Sequence, residues 1–127
     1  MNTLKINEVI PDIQIAFNNA NKLILQAPPG SGKSTIVPIS FLKQSYLNNK
    51  KIIVLQPRRV ATRMVASRLA FNLKEQVGNT VGYIIKNETK LSKNTKIIVV
   101  TEAVLVRMMQ DDQDLQDISM IIFDEFH

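Results

Sequence analysis

The chain has 127 residues, enough for one domain with a single hydrophobic core, and its composition is 45% hydrophobic and 21% charged, typical of a globular protein. No apolar run reaches the roughly 18 residues of a membrane-spanning helix, and no long apolar segment follows the first residues as in a secretory signal. The lack of cysteine excludes disulfides and thiolate metal sites. We therefore expect a cytoplasmic protein without a membrane partner.

The net charge of +5 is unevenly distributed along the chain. No Asp or Glu occurs from residue 13 to residue 74, whereas the same stretch holds ten Lys and Arg residues. Six of the 11 acids come after residue 110. A basic half favours phosphate groups as partners, either of a nucleotide or of a nucleic-acid backbone. A solvated basic surface is the alternative interpretation of the charge alone.

The apolar pattern predicts strands that alternate with helices. Short apolar runs predict buried strands at 23–26, 52–55, 81–85, 97–100 and 119–123. Apolar residues at helical spacing predict helices after Pro11, over 34–47, along the face shared by Ala61, Val65, Leu69 and Leu73, and over 102–109. Near-continuous apolar strands between helices predict an α/β fold with a parallel sheet covered on both faces.

The segment 27–35 (APPGSGKST) leaves one predicted strand and opens a predicted helix, which is the context of a phosphate-binding loop. Its glycines let the backbone approach phosphate oxygens closely. Lys33 can reach the β- and γ-phosphates, and the Ser34 hydroxyl can bind Mg²⁺. Ala27 departs from the strict pattern, which begins with Gly. An ordinary glycine-rich turn is the alternative. The predicted nucleotide-binding residues are Pro29, Gly30, Ser31, Gly32, Lys33, Ser34 and Thr35.

The segment 124–127 (DEFH) follows the last apolar strand. A carboxylate at the carboxyl end of a strand lies beside the ligand crevice of an α/β sheet. We expect Asp124 to hold Mg²⁺ through water, and Glu125 to orient and deprotonate the attacking water. An isolated Asp-Glu pair is more often surface charge, so this assignment depends on the phosphate loop. His127 alone carries no assignment.

Two further segments follow predicted strands. Arg58 and Arg59 lie between the second strand and a helix, where their guanidinium groups can bind nucleic-acid phosphates. Two solvated arginines at a helix start are the alternative. Thr101 has a similar position after another strand, and taken alone it is expected to cap the following helix.

Together these segments resemble the DEAH-box helicases of superfamily 2, and most closely the bacterial HrpB-like subgroup. The resemblance is carried by 26–35 (QAPPGSGKST), 56–61 (QPRRVA), 81–83 (VGY) and 123–127 (FDEFH). Phe126 stands where the common motif has Ala, and the HrpB-like proteins are similar in this respect. Three positions depart from the family, which often has Arg-Phe at Lys86-Asn87 and Gly at Ala103.

The resemblance implies a RecA-like phosphate-loop NTPase domain that uses ATP and Mg²⁺ and acts on nucleic acid, RNA more plausibly than DNA. It implies that Lys33, Asp124, Glu125 and His127 serve catalysis. It also implies that nucleic-acid backbone contacts Arg58, Arg59 and Thr101. Finally, it implies that Arg68 lies near the base or ribose of ATP.

The resemblance further implies that residues 1–127 are the N-terminal part of the first RecA-like domain, which is incomplete after the 124–127 motif. A second RecA-like domain with arginine fingers would then be absent, and we expect the chain alone to be inactive. The family arrangement also inserts a later strand between the phosphate-loop strand and the Asp-Glu strand. We therefore expect these two strands to lack partners here.

Two other functions remain open on the sequence. A phosphate-loop enzyme of another kind, such as a small-molecule kinase or a transporter ATPase, explains Lys33 and Asp124 but not the Arg-Arg and Phe-His pairs. A non-catalytic remnant that only binds phosphate-rich ligands is the second. Stimulation of ATP hydrolysis by nucleic acid distinguishes a helicase from a phosphate-loop enzyme of another kind.

Overall fold

A computed structural model describes residues 23–27, 38–39, 42, 50–112 and 115–124. Within these ranges the chain forms six strands: β1 Leu23–Ala27, β2 Lys51–Gln56, β3 Val81–Ile85, β4 Glu88–Lys90, β5 Ile97–Thr101 and β6 Ile118–Asp124. After residue 50 it forms two helices, α1 Arg59–Asn72 and α2 Glu102–Asp111. The helix predicted after Pro11 lies outside the described residues, as does most of the helix predicted over 34–47.

The six strands form one sheet in the order β1-β6-β2-β5-β3-β4. The first five strands of this order pair in parallel, which confirms the predicted α/β fold. Only β4 is antiparallel, and it forms a hairpin with β3. Strand β4 is not predicted from the sequence, because Glu-Thr-Lys has no apolar alternation.

The expected gap between the phosphate-loop strand and the Asp-Glu strand does not occur. β1 pairs directly with β6 over five register positions, from Leu23–Met120 to Ala27–Asp124. β6 also pairs with β2 on its other side, so the expectation that β6 would lack a partner is wrong. A buried backbone group without a partner costs about 1–3 kcal/mol, and direct pairing of the two strands removes this cost.

The sheet is covered on both faces, as the apolar strands predict. Alternate residues of each strand point to opposite faces. On one face, Ile53, Val100 and Ile121 pack with Leu105 of α2. On the other face, Val54, Val99 and Ile122 pack with α1.

Helix α1 lies on the sheet through small residues. Its buried residues are Thr62, Ala66, Leu69 and Ala70. The predicted face is right for Leu69, whereas Ala61, Val65 and Leu73 are half-buried at its margin. Alanines at the contact let the helix approach the sheet closely, and Thr62 can be buried because its hydroxyl donates to the Arg58 carbonyl oxygen at 2.8 Å. Neither α1 nor α2 is long and apolar enough to cross a membrane.

Gly82 on β3 allows the β3–β4 hairpin to fold closely on itself. A Cβ atom at this position would overlap the Lys90 carbonyl oxygen and come within 2.6 Å of Leu91 Cδ2. Because the first of these atoms belongs to the backbone, the hairpin itself would have to shift.

We therefore expect Gly82→Ala to lower the free energy of unfolding by about 1–3 kcal/mol, the usual cost of overpacking. Chemical denaturation monitored by circular dichroism measures this change. The control is Ser67→Ala on the exposed side of α1. Equal stability of the two variants would contradict the close packing.

Candidate nucleotide and nucleic-acid site

The carboxyl ends of four neighbouring strands form a row along one edge of the sheet. Ala27 of β1 lies beside Asp124 of β6. Leu55 pairs with Phe123, so Gln56 is level with Asp124 on the other side. Gln56 in turn pairs with Thr101 of β5. The segments that follow these strands therefore all begin at the same edge, where ligands of open α/β sheets bind.

Most of the predicted nucleotide site lies outside the described residues. This applies to Pro29, Gly30, Ser31, Gly32, Lys33, Ser34 and Thr35 of the loop, and to Glu125 and His127. The strand register still fixes the two points from which these segments leave the sheet. The loop follows Ala27 and the acidic motif begins at Asp124, so both start from directly paired residues.

Arg58 and Arg59 lie where β2 passes into α1, and both side chains are exposed. Arg58 is the N-cap residue of α1 in an extended conformation, and its carbonyl oxygen accepts from the Thr62 N–H at 2.9 Å. Arg59 Nη2 donates to the Lys86 carbonyl oxygen at 3.4 Å, which connects α1 to the β3–β4 turn. The backbone that carries both arginines is thus held in place, and both side chains remain exposed although that of Arg59 also contacts the hairpin.

Thr101 and Arg68 differ from these arginines in position. Thr101 is buried, with 8% of its surface exposed, and is the N-cap residue of α2. Its side chain makes no capping hydrogen bond, so the capping role expected from the sequence is wrong. Arg68 is exposed on α1, about 15 Å along the helix axis from Arg58. The strand ends therefore bring Thr101 to the edge row, but not Arg68.

A cluster of three polar side chains joins α1 to the hairpin beside this edge. Arg63 Nη2 donates to Glu88 Oε1 at 2.5 Å. The Tyr83 hydroxyl donates to the other carboxylate oxygen, Oε2. The hydrogen bond from Arg63, followed by that from Tyr83, lowers the pKa of Glu88 below its usual value. The hydrogen bond to Glu88 correspondingly raises the pKa of Tyr83.

The cluster of Arg63, Glu88 and Tyr83 is not predicted from the sequence. Arg63 and Glu88 are 25 positions apart, and neither belongs to a motif that predicts a contact. The one local signal is that Arg59 and Arg63 are separated by four positions. This spacing puts both side chains on the same side of a helix.

An open cleft of about 360 Å³ lies between the β3–β4 turn and α2, next to the same edge. Lys86 and Arg107 are basic residues of its wall, and Val104 and Met108 supply apolar surface. Glu88 and Asp111 also line it. The cleft thus offers both cationic and apolar contacts, and Arg59 reaches its wall through the hydrogen bond to the Lys86 carbonyl oxygen.

The sequence model of the DEAD/DEAH box helicases matches residues 7–127. The chain belongs to this family. It is 44% identical to the ATP-dependent RNA helicase HrpB of Escherichia coli over 127 residues, which cover 100% of this chain and 16% of that protein. It is 39% identical to the ATP-dependent RNA helicase HrpA of Borreliella burgdorferi over 111 residues, or 87% of this chain and 14% of that protein.

The fold agrees with the family. The crystal structure of the Escherichia coli DExH-box NTPase HrpB matches with a TM-score of 0.74 at 44% identity, covering 100% of this chain and 16% of that one. This likeness confirms the predicted HrpB-like resemblance and the RecA-like α/β fold. The chain spans about one-sixth of the length of this relative.

The lowered pKa of Glu88 predicts a stability difference that depends on pH. The folded state binds this proton less tightly than the unfolded state, so the stabilisation is present above the ordinary pKa of 4.5 and is lost as pH falls through the folded value. Thermal unfolding of the wild type and of Glu88→Gln should therefore differ most near neutral pH and converge below pH 4.5. A difference that stays constant into the acid range would contradict the ion pair.

Proposed function

We propose that this chain is the ATP-binding portion of an ATP-dependent helicase that acts on RNA and couples ATP hydrolysis to nucleic-acid remodelling. The observation that carries the proposal is the row of strand ends at Ala27, Asp124, Gln56 and Thr101. The phosphate loop, the acidic motif and the Arg-Arg segment all follow this row directly. A site with this arrangement can contact nucleotide and nucleic-acid phosphates from one edge of one rigid sheet.

The nucleotide part of the proposal assigns a role to each residue of the loop and the acidic motif. Pro29, Gly30, Ser31, Gly32 and Thr35 provide backbone and side-chain groups around the phosphates of ATP, and Lys33 neutralises charge on the transferred phosphoryl group. Glu125 orients the attacking water and accepts its proton. The family resemblance assigns Arg68, which lies on α1 away from the row of strand ends, to the base or ribose of ATP, and His127 to the same motif as Glu125.

Ser34 follows one of the two paired strand ends and Asp124 is the other, and both residue types suit Mg²⁺. Ser34 offers a hydroxyl oxygen and Asp124 a carboxylate oxygen, and hard oxygen ligands of this kind are those that Mg²⁺ prefers. The direct pairing of Ala27 with Asp124 starts the two segments side by side. When bound, the ion neutralises charge on the β- and γ-phosphate oxygens.

The nucleic-acid part of the proposal rests on Arg58, Arg59 and Thr101. The two arginines are exposed at the start of α1, and guanidinium groups suit phosphate oxygens in geometry and charge. Thr101 lies at the end of β5, next to the strand β2 that precedes the arginines, and is level with Gln56. The relatives reported above are named RNA helicases, and this supports RNA rather than DNA as the nucleic acid that is bound.

We also propose a domain organisation and a cellular location for the protein. Residues 1–127 form the N-terminal part of a first RecA-like domain, and ATP lies in a cleft that this domain shares with a second one. The second domain supplies arginine fingers, which contribute about 10³ to 10⁵ in rate in related phosphoryl-transfer enzymes. The protein acts in the cytoplasm.

Lys33→Ala should lower kcat for ATP hydrolysis by at least about 10²-fold, since removing one preorganised charge-stabilising group has effects of this size. The measurement is steady-state ATPase activity of the full-length protein at saturating RNA. The control is Lys93→Ala, an exposed lysine in the loop before β5, at the opposite edge of the sheet. Near-normal turnover by Lys33→Ala would falsify the assignment.

The double variant Arg58→Ala/Arg59→Ala should weaken RNA binding similarly for all sequences, because the contacts are to backbone phosphate. The slope of log K against log salt concentration should flatten by about one unit for each lost contact. Fluorescence anisotropy with labelled single-stranded RNA over a salt series measures both quantities.

The matched control for this pair is Lys50→Ala/Lys93→Ala, which removes the same charge near the amino ends of β2 and β5. It should leave the salt slope close to that of the wild type. If the arginine and lysine pairs have equal effects, general charge rather than a defined contact explains the binding.

A further inference from the structure

Two successive turns of α1 contact the β3–β4 hairpin, the first at the turn and the second at the start of β4. Arg59, in the first turn, donates to the Lys86 carbonyl oxygen at 3.4 Å. Arg63, one turn later, donates to Glu88 Oε1 at 2.5 Å. Residues four positions apart lie on the same side of a helix, so the hairpin turn is held at two points along one line.

Tyr83 connects this contact to the core of the sheet. Its side chain is only 8% exposed and belongs to the apolar cluster beneath α1. Its hydroxyl donates to Glu88 Oε2, so the Glu88 carboxylate is held by β3 on one oxygen and by Arg63 of α1 on the other. The carboxylate therefore links a rigid strand to an exposed part of the helix.

The Arg63–Glu88 ion pair contributes only a small, pH-dependent part of the stability of the fold. The Arg63 and Glu88 side chains are 47% and 37% exposed, and ion pairs at such positions contribute little to folding. Its effect is geometric, because it fixes the angle between the start of α1 and the hairpin turn. The start of α1 is the segment that carries Arg58 and Arg59.

The backbone at Arg58 transmits this constraint to the exposed arginines. The Arg58 carbonyl oxygen accepts hydrogen bonds from both the N–H and the hydroxyl of Thr62, at 2.9 and 2.8 Å. Thr62 itself is fully buried. These two bonds anchor the backbone of Arg58 to the buried Thr62, and Arg59 is held towards the hairpin by its bond to the Lys86 carbonyl oxygen.

We propose that Glu88 is a positioning residue for RNA binding: held by Tyr83 and Arg63, it orients the first turn of α1 so that Arg58 and Arg59 face the RNA backbone together. This inference rests on the proposed function of the two arginines. A purely electrostatic account predicts the opposite sign, because Glu88 is a negative charge next to a phosphate-binding surface. Removing it would then strengthen RNA binding.

Two variants of the full-length protein test the inference, Glu88→Gln and Tyr83→Phe. The first removes the charge, and the second removes only the hydroxyl that holds the carboxylate, without a change in charge. We expect both to weaken the binding of fluorescein-labelled oligouridylate by about threefold to tenfold, the usual size of effects transmitted through a contact network. KM for RNA in the ATPase reaction should rise by the same factor, while KM for ATP and kcat at saturating RNA stay unchanged.

Asp117→Asn is the matched control, since it removes one exposed acid near the amino end of β6 and should not weaken RNA binding. RNA affinity equal to or greater than that of the wild type in both Glu88→Gln and Tyr83→Phe would overturn the positioning role, provided that Arg58→Ala/Arg59→Ala binds RNA weakly. Wild-type affinity in the arginine variant would instead overturn the proposed function, and the positioning role with it. Melting temperatures of all variants show whether folding is intact.

Discussion

Parallel strand pairing is the constraint on which the rest of this structure depends. In a parallel sheet, all carboxyl ends emerge at one edge, so chain segments far apart in sequence begin side by side. Here the pairing of β1 with β6 joins the phosphate loop to the acidic motif. The pairing of β6 with β2, and of β2 with β5, adds the Arg-Arg segment and Thr101. The described side chains of β5, of β2 after Lys51 and of β6 up to Ile122 are buried, so polar side chains that bind ligands are expected at the carboxyl ends of the strands.

Helix α1 adds a second constraint, which acts on orientation. Its buried face is made mostly of small residues, so it lies close to the sheet beside β3. Close approach brings Arg63 within hydrogen-bonding distance of Glu88 on the neighbouring hairpin. Gly82 is needed on the same hairpin, because any side chain there would collide with the Lys90 backbone. The packing of α1 and the path of the hairpin therefore depend on each other.

The fold class could be predicted from sequence because it follows from local patterns. Short apolar runs identified five strands, and the phosphate-loop spacing identified the start of the site. Three features could not be found in this way. Strand β4 has no apolar pattern, the buried face of α1 is set by its distance from the sheet, and β1 pairs with β6 across more than 90 residues.

The candidate site likewise combines features that the local sequence predicts with features that it does not. Arg58 and Arg59 could be predicted as nucleic-acid contacts because they follow an apolar strand. Their exposure agrees with contact to a large ligand. The cluster of Arg63, Glu88 and Tyr83 could not be predicted, since it forms only after α1 packs on the sheet. Thr101 as a helix cap was a reasonable expectation from its position, but its hydroxyl makes no capping bond. Local sequence identifies elements and motifs, whereas contacts between elements depend on tertiary geometry.

The central claim is that one edge of one sheet joins nucleotide chemistry to RNA binding. The most direct test is the ATPase rate of the full-length protein as single-stranded RNA is titrated into the reaction. A shared edge predicts a rate that rises with RNA concentration and saturates. A phosphate-loop enzyme with another substrate would hydrolyse ATP at a rate independent of RNA, and that result would contradict the account.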